Sequence, residues 1–185
     1  MALIYAKNKL EPVTVPIAGS FWTRRERETL SVEDQLKAVK TPEKTATHTP
    51  IPHSLLVSKA RKALGKAGFS ISEEEHALAR GGQRYFGGFA LRGEGITGDD
   101  RRLVFGLRNS SDKSTAASAC MGNSMLVCDN MCFSSDVKLA RRHTVNILRD
   151  LDGMLAKAIS RIRSSWADMG LRISAYKESE ISPEV

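Results

Sequence analysis

Two apolar runs of strand length, separated by a polar turn, lie near the middle of the chain and limit the folds open to it. The first run, Arg102 to Arg108, alternates apolar residues on one face, as a half-buried strand does. The second run extends from Thr115 to Phe133, which is too long for one strand, so a break is expected at Gly122-Asn123. Between the runs, Asn109 to Ser114 carries short polar side chains that satisfy turn backbone. This order predicts neighbouring antiparallel strands.

A short basic helix is predicted upstream of these strands, from Ser54 to Ala67. Leu56, Ala60 and Leu64 recur every four residues, which gives the segment one apolar stripe. Ser54 is the predicted N-cap of this helix. Gly68 follows the last turn, where glycine adopts a positive φ at little cost.

A hairpin is predicted between this helix and the central strands. Its strands are Phe69 to Arg80 and Tyr85 to Arg92, and Gly81-Gly82 supplies a turn that tolerates positive φ. Gly87 and Gly88 weaken the second strand and predict a bulge or a close backbone approach there.

A long amphipathic helix is predicted after the sheet, from Val137 to Met169. Its apolar residues mostly recur at spacings of three and four, and an unbroken helix would be about 50 Å long. Ser134-Ser135-Asp136 offers an N-cap, Gly153 a bend and Gly170 the end of the helix.

These elements predict an α+β fold, an antiparallel sheet of about four to five strands packed against a short N-terminal helix and a long C-terminal helix. Residues 1–50, rich in Thr, Pro, Lys and Glu, predict an extended arm. Residues 51–170 form the predicted domain and 171–185 a polar tail, of which Glu178 to Val185 is expected to be poorly ordered. In the arm, Phe21-Trp22 precedes Arg24-Arg25, a pattern that either stacks on bases or anchors an arm in a groove.

Composition excludes several classes of protein. No apolar run approaches the roughly 20 residues of a membrane span, and the N-terminus lacks a signal-peptide pattern, so we expect a cytoplasmic protein without membrane contact. The three cysteines all lie between Cys120 and Cys132 and predict reduced thiols rather than a disulfide framework.

The net charge of +7 is unevenly distributed. Residues 51–93 carry seven Lys or Arg against three acids and residues 137–185 carry nine against six, whereas residues 94–136 carry four against six. This distribution is compatible with binding a polyanion, and equally with a solvated basic face. The candidate nucleic-acid-binding residues are Arg61, Lys62, Arg84, Arg108, Lys113, Arg141, Arg142 and Arg149.

A second set of candidates is polar and clusters at predicted strand ends, where function often lies. Its members are Asn109, Ser110, Asp112, Asp129, Asn130 and His143. The structural alternative is a well-formed turn and a helix cap.

Catalytic and metal chemistry have weaker support. Cys120, Cys128, Cys132 and His143 would suffice in number for zinc, but no Cys-x-x-Cys pair is present. His143 could pair with Cys128 or Cys132 as in a cysteine protease, without further support. Since no convergent acidic cluster or activated nucleophile is visible, we predict no catalytic residues, no metal and no cofactor, and favour a non-enzymatic role.

Several ordered motifs between Gly68 and Ala158 resemble a family of phage- and plasmid-borne proteins catalogued as a domain of unknown function. The motifs are Ala63-Leu64-Gly65-Lys66-Ala67-Gly68-Phe69, Glu74-Glu75-His76-Ala77-Leu78, Arg84-Tyr85-Phe86-Gly87, Leu107-Arg108-Asn109-Ser110-Ser111-Asp112-Lys113-Ser114, Val127-Cys128-Asp129-Asn130 and Arg141-Arg142-His143-Thr144. Family members often carry histidine at the position of Ser111, and they usually continue through a further helical region beyond the position of Val185.

Two functions from different classes follow. The predicted order of helix, strands and long helix is also that of ring-forming single-strand annealing proteins of recombination, an analogy of fold order alone. It implies a homo-oligomer that binds single-stranded DNA. The alternative is a mobile-element inhibitor that binds a host defence complex through protein–protein contacts.

Overall fold

The structure is a computed structural model that describes residues 14–15, 32–94, 96, 102–124 and 137–179. Within these residues, six strands form one antiparallel sheet whose spatial order is the chain order. The elements are β1 (Thr14–Val15), α1 (Val32–Ala38), α2 (His53–Lys66), β2 (Ser70–Ala79), β3 (Arg84–Arg92), β4 (Arg102–Ser110), β5 (Ala117–Ser124), β6 (Val137–Arg141), α3 (Ile147–Ser160) and α4 (Ile162–Glu178). Apart from the two-residue β1, five strands build the sheet, and the predicted α+β fold is confirmed.

The register of the strands gives the sheet two distinct faces. Phe89 of β3 lies opposite Phe105 of β4, which lies opposite Met121 of β5, and all three are buried. Because side chains alternate along a strand, their sequence neighbours point to the other side. We call the side of these three residues the helix face and the opposite side the second face.

Helices α2 and α3 pack on the helix face. Leu56 and Leu64 of α2, and Leu151 and Leu155 of α3, are fully buried in one apolar cluster with the strand residues. Burying such a side chain stabilises the fold by about 1.5–3 kcal/mol. In α4, only Ile162, Ser165 and Trp166 are buried, so its C-terminal half extends away from this core.

The predicted helix and hairpin upstream are confirmed with small changes. Helix α2 spans His53–Lys66 and Gly68 follows it with φ +80°, but Pro52 rather than Ser54 is the N-cap. The turn between β2 and β3 uses positive φ at Gly81 and Gly82, as predicted.

A bulge or a close backbone approach is predicted at Gly87 and Gly88, but β3 pairs with β2 and β4 without a bulge there, and it is side chains that approach Gly87 closely. A Cβ at this position would lie 2.0 Å from Tyr85 Oη and 2.9 Å from His76 Nδ1, so both side chains cross directly over the glycine. Only glycine leaves room for them there.

The predicted boundaries of the C-terminal helix are wrong. Val137–Arg141 is strand β6, paired with β5, and the first helix of this region begins at Ile147. The helical path bends at Arg161, between α3 and α4, and not at Gly153, which lies inside α3. Gly170 does not end the helix either, since α4 continues to Glu178 and includes much of the predicted tail.

The segment predicted as an extended arm contributes to the domain. Helix α1 contacts α2, and Leu36 is buried in the main apolar cluster. Phe21-Trp22 and Arg24-Arg25 lie outside the described residues. Among the helices that the structure describes, none is long and apolar enough to span a bilayer.

Candidate nucleic-acid interface

The amide of Asn109 joins three segments of the chain beneath one end of the sheet. Asn109 is fully buried near the end of β4. Its Nδ2 donates to the carbonyl oxygen of Ile51 at 2.8 Å and to His53 Nδ1 at 2.9 Å, and its Oδ1 accepts from His143 Nε2 at 2.7 Å. Both amide donors are therefore used, as a buried polar side chain requires.

The hydrogen-bond partners of His53 show which of its ring nitrogens carries a hydrogen. Its Nε2 donates to the carbonyl oxygen of Gly82 at 2.8 Å, so its Nδ1 accepts from Asn109 and the ring is neutral. Protonation of His53 Nδ1 would place its N–H directly against an N–H of the Asn109 amide. Burial also lowers the pKa of His53, despite the opposing hydrogen bond to Gly82.

His143 and His48 complete the Asn109 cluster, which comprises His48, His53, Asn109 and His143. His143 is buried, its carbonyl oxygen accepts from the backbone N–H of Thr49 at 3.0 Å, and its ring centroid lies 5.3 Å from that of His48. Burial, followed by repulsion from His48 and His53, lowers the pKa of His143 to about 4. Burial and the charge of Lys113 lower the pKa of His48.

A second buried network adjoins the Asn109 cluster through Tyr85, whose ring stacks on His53 at 5.3 Å between centroids. The Tyr85 hydroxyl donates to His76 Nδ1 at 2.7 Å, and His76 Nε2 donates to Glu74 at 3.2 Å. Burial raises the pKa of Tyr85 well above 10, so its hydroxyl stays protonated. Arg61 then donates to both oxygens of Glu74, which ties its guanidinium into this network.

The turn between β4 and β5 starts two residues later than predicted. Asn109 and Ser110 are the last residues of β4, and the turn comprises residues 111–115. Ser110 Oγ donates to the carbonyl oxygen of Thr115 at 2.8 Å. Asp112 accepts from the backbone N–H of Ser114 at 3.0 Å and from Arg84 Nε at 2.8 Å. Burial opposes ionisation of Asp112, but these hydrogen bonds outweigh it and lower the pKa.

Cationic side chains collect around this end of the sheet, and we call them the basic rim. Its seven members are Lys44, Arg80, Arg84, Lys113, Arg141, Arg142 and Arg149, of which all but Arg84 are exposed. Three carboxylates lie in the same segments, namely Glu43, Asp112 and Asp150. Counted over the described residues, the rim therefore has four more positive than negative groups.

Two of these carboxylates hold rim arginines in place. Asp112 pairs with Arg84 and, at 3.8 Å, with Arg80. Asp150 in the first turn of α3 pairs with Arg141 and, at 3.1 Å, with Arg149, and the hydrogen bond from Arg149 is the main cause of its lowered pKa. Such exposed pairs add little stability, so their main effect is to orient the guanidinium groups.

Five of the eight predicted nucleic-acid-binding residues thus meet in the rim, and three do not. Arg61 and Lys62 lie more than two helical turns along α2 from His53 at the rim end. Arg108 is on the second face, as Arg84 is, but it lies between Phe86 and Ser118, two residues before the end of β4.

A groove of about 500 Å³ opens at the same end, between the chain around Thr45 and the start of α3. Its lining residues are Lys44, Thr45, Ala46, Thr49, Val145 and Leu148. Val145 and Leu148 are 58% and 41% exposed, which is unusual for apolar side chains of this size and typical of binding surfaces when they cluster.

The other predicted site residues lie either outside the described residues or on the opposite face of the sheet. Asp129 and Asn130 lie outside the described residues, as do Cys128 and Cys132. Cys120 lies on the second face, whereas His143 reaches Asn109 on the helix face, so these two zinc candidates are separated by the sheet. In the described part of the chain, no group of three or more His, Cys, Asp or Glu side chains could hold a metal ion.

Sequence reasoning missed His48 and His53. The signal for His53 is its position three and seven residues before Leu56 and Ala60, which places it on the buried stripe of α2. No comparable signal exists for His48, because its segment has no regular periodicity.

These features define a class of protein, an α+β domain with a buried Asn–His cluster beneath a basic rim. Comparisons with protein-family models, curated proteins and solved structures gave no match for the chain. The resemblance to phage- and plasmid-borne proteins therefore stays a prediction.

Proposed function

We propose that the chain binds single-stranded nucleic acid, in the first place DNA, at the basic rim and catalyses no reaction. The convergence of seven cations at one end of the sheet carries this proposal, because the positions come from four separate segments of sequence. A surface of this kind attracts the phosphates of a nucleic acid and displaces their counterions.

The geometry favours binding over catalysis at this place. His143 and His53 are buried and neutral, and their ring nitrogens on the Asn109 side are engaged in hydrogen bonds. General acid–base catalysis needs such a group within reach of a substrate proton. The cluster instead supports the chain segments from which the rim residues project.

The wider setting is part of the same proposal. A phage- or plasmid-encoded protein that acts in the cytoplasm as a homo-oligomer, with a role in recombination, agrees with the family resemblance and with the order of helix, sheet and C-terminal helices.

The salt dependence of binding tests the proposal. With about four phosphate contacts, the affinity for a fluorescent oligo(dT) should fall about 50-fold between about 50 and 200 mM salt. Arg142→Glu should weaken binding. It should also lower the slope of log affinity against log salt by the amount expected for about one phosphate contact. Lys157→Glu is the matched control, since Lys157 is an exposed cation about 12 Å along α3 from Arg149, the rim residue on this helix. Equal effects of the two variants, or binding that is insensitive to salt, would refute the proposal.

A second candidate, binding to a host defence protein, is favoured by helix α4. The stripe that buries Ile162 and Trp166 continues at spacings of three and four through Met169, Ile173 and Tyr176. Tyr176, at the end of this stripe, is 77% exposed, whereas Leu171, which is 72% exposed, lies on the opposite side of the helix. Large exposed apolar side chains in line with a core stripe are typical of a protein contact.

Affinity purification from the host cell tests this second candidate. It predicts one stoichiometric host protein with the wild-type chain and its loss with Tyr176→Lys, while Lys157→Glu retains it. Recovery of the same proteins with Tyr176→Lys would exclude α4 as the contact.

A further inference from the structure

We infer that the groove lined by Lys44, Thr49, Val145 and Leu148 is a subsite for one unstacked nucleobase of a bound single strand. This inference rests on the proposed function and names what the apolar part of the surface recognises. Its volume of about 500 Å³ lies in the range of small-ligand sites.

The floor of the groove, by which we mean Val145 and Leu148, is apolar and exposed. Val145 and Leu148 are two of the four large apolar side chains that are exposed in the described residues, and the other two lie on α4. A nucleobase covers such a floor with its flat face, which a strand of unpaired nucleotides can offer and a duplex cannot, because its bases are stacked inside.

The charge around the groove matches the rest of a nucleotide. Lys44 lines the groove, and Arg149 follows directly after Leu148 on α3. None of the residues lining it carries a negative charge. A phosphate beside the base would therefore meet cations while the base contacts the floor.

Hydrogen bonds hold the two walls of the groove in place relative to each other. The backbone N–H of Thr49 donates to the carbonyl oxygen of His143 at 3.0 Å, which links the two walls. His143 is in turn held by Asn109 in the sheet. A preformed site loses less conformational entropy when it binds, which raises affinity.

A floor variant tests the subsite. Leu148→Ser combined with Val145→Ser should weaken binding of oligo(dT) about five- to tenfold without changing its salt dependence, because no charge is lost. Leu171→Ser is the control, a leucine on α4 that is more exposed than Leu148 and whose loss should leave affinity unchanged. The wild type should also bind a single strand at least tenfold more tightly than the matching duplex, and the floor variant should lose much of that preference.

A base analogue reports on the subsite directly. Fluorescence of 2-aminopurine within the oligonucleotide should change on binding to the wild type and much less on binding to the floor variant. If strands bind with the expected salt dependence but the floor variant equals the wild type, the subsite is wrong and the proposed function survives. If no strand binds at low salt, the proposed function fails. Competition by a poly-glutamate peptide that depends on Leu148 would overturn the assignment to a nucleobase.

Discussion

Replacing Asn109 by alanine removes the group that joins the sheet to both walls of the groove. Three polar groups lose their partner in this variant, namely the Ile51 carbonyl, His53 Nδ1 and the Nε2–H of His143. An unsatisfied buried polar group costs about 1–3 kcal/mol, and partial relaxation and water entry recover some of this. We expect the free energy of unfolding to fall by about 3–6 kcal/mol, a large part of the 5–15 kcal/mol that is usual for a domain.

Urea denaturation followed by far-UV circular dichroism measures this effect. Asn146→Ala is the control, because Asn146 is exposed, its side chain makes no capping hydrogen bond at α3, and its removal should change stability by less than about 0.5 kcal/mol. A variant without detectable folded state would agree with the upper part of the range. A loss below about 1 kcal/mol for Asn109→Ala would show that the cluster does not hold these segments together.

Two further predictions concern the same buried networks. His143 has a pKa of about 4 in the folded chain against 6.5 when unfolded, so the unfolded chain binds more protons between these values. The contribution of His143 to the free energy of unfolding should therefore be fully present above pH 6.5 and fall by up to about 3 kcal/mol as the pH drops towards 4. Thermal unfolding over this pH range measures the effect, and an unchanged melting temperature would contradict it. Gly87→Ala places a Cβ 2.0 Å from Tyr85 Oη and should lower the free energy of unfolding by about 2–4 kcal/mol in denaturant titrations. Gly88→Ala is the control and should be nearly neutral, because its Cβ would have its nearest contact at 3.6 Å. Equal losses in the two variants would refute the close-approach argument.

Local sequence patterns predicted the elements that local chemistry decides. Helix α2 has one apolar stripe and a glycine after its last turn, and the hairpin has two glycines where positive φ is needed. Both signals act within a few residues, so no distant contact overrides them.

The predicted start of the C-terminal helix was wrong because the sequence from Val137 to Arg141 fits both the period of a strand and that of a helix. Val137, Leu139 and Arg141 alternate as in a strand, while Val137 and Ala140 also fit a helical spacing. Pairing with β5 places Leu139 opposite Ala119 on the helix face, a contact between residues that are distant in sequence. Tertiary pairing thus decided between two local patterns.

The site was predictable in part for the same reason. Alternation from Leu103 through Phe105 and Leu107 places Asn109 on the buried face of β4, although its side chain is also one that is common in turns. Its contact with His143 spans 34 residues and no spacing rule predicts it. The rim likewise forms only when the sheet brings the ends of its strands and the start of α3 to one side.

Chemical-shift mapping of the isotope-labelled chain with oligo(dT) is the most direct test of the account. The largest changes are predicted at residues 44–49, at Lys113 and at residues 141–149, and small ones along α4. Shifts confined to α4, or none at oligonucleotide concentrations that saturate the anisotropy signal, would contradict a nucleic-acid interface at the basic rim.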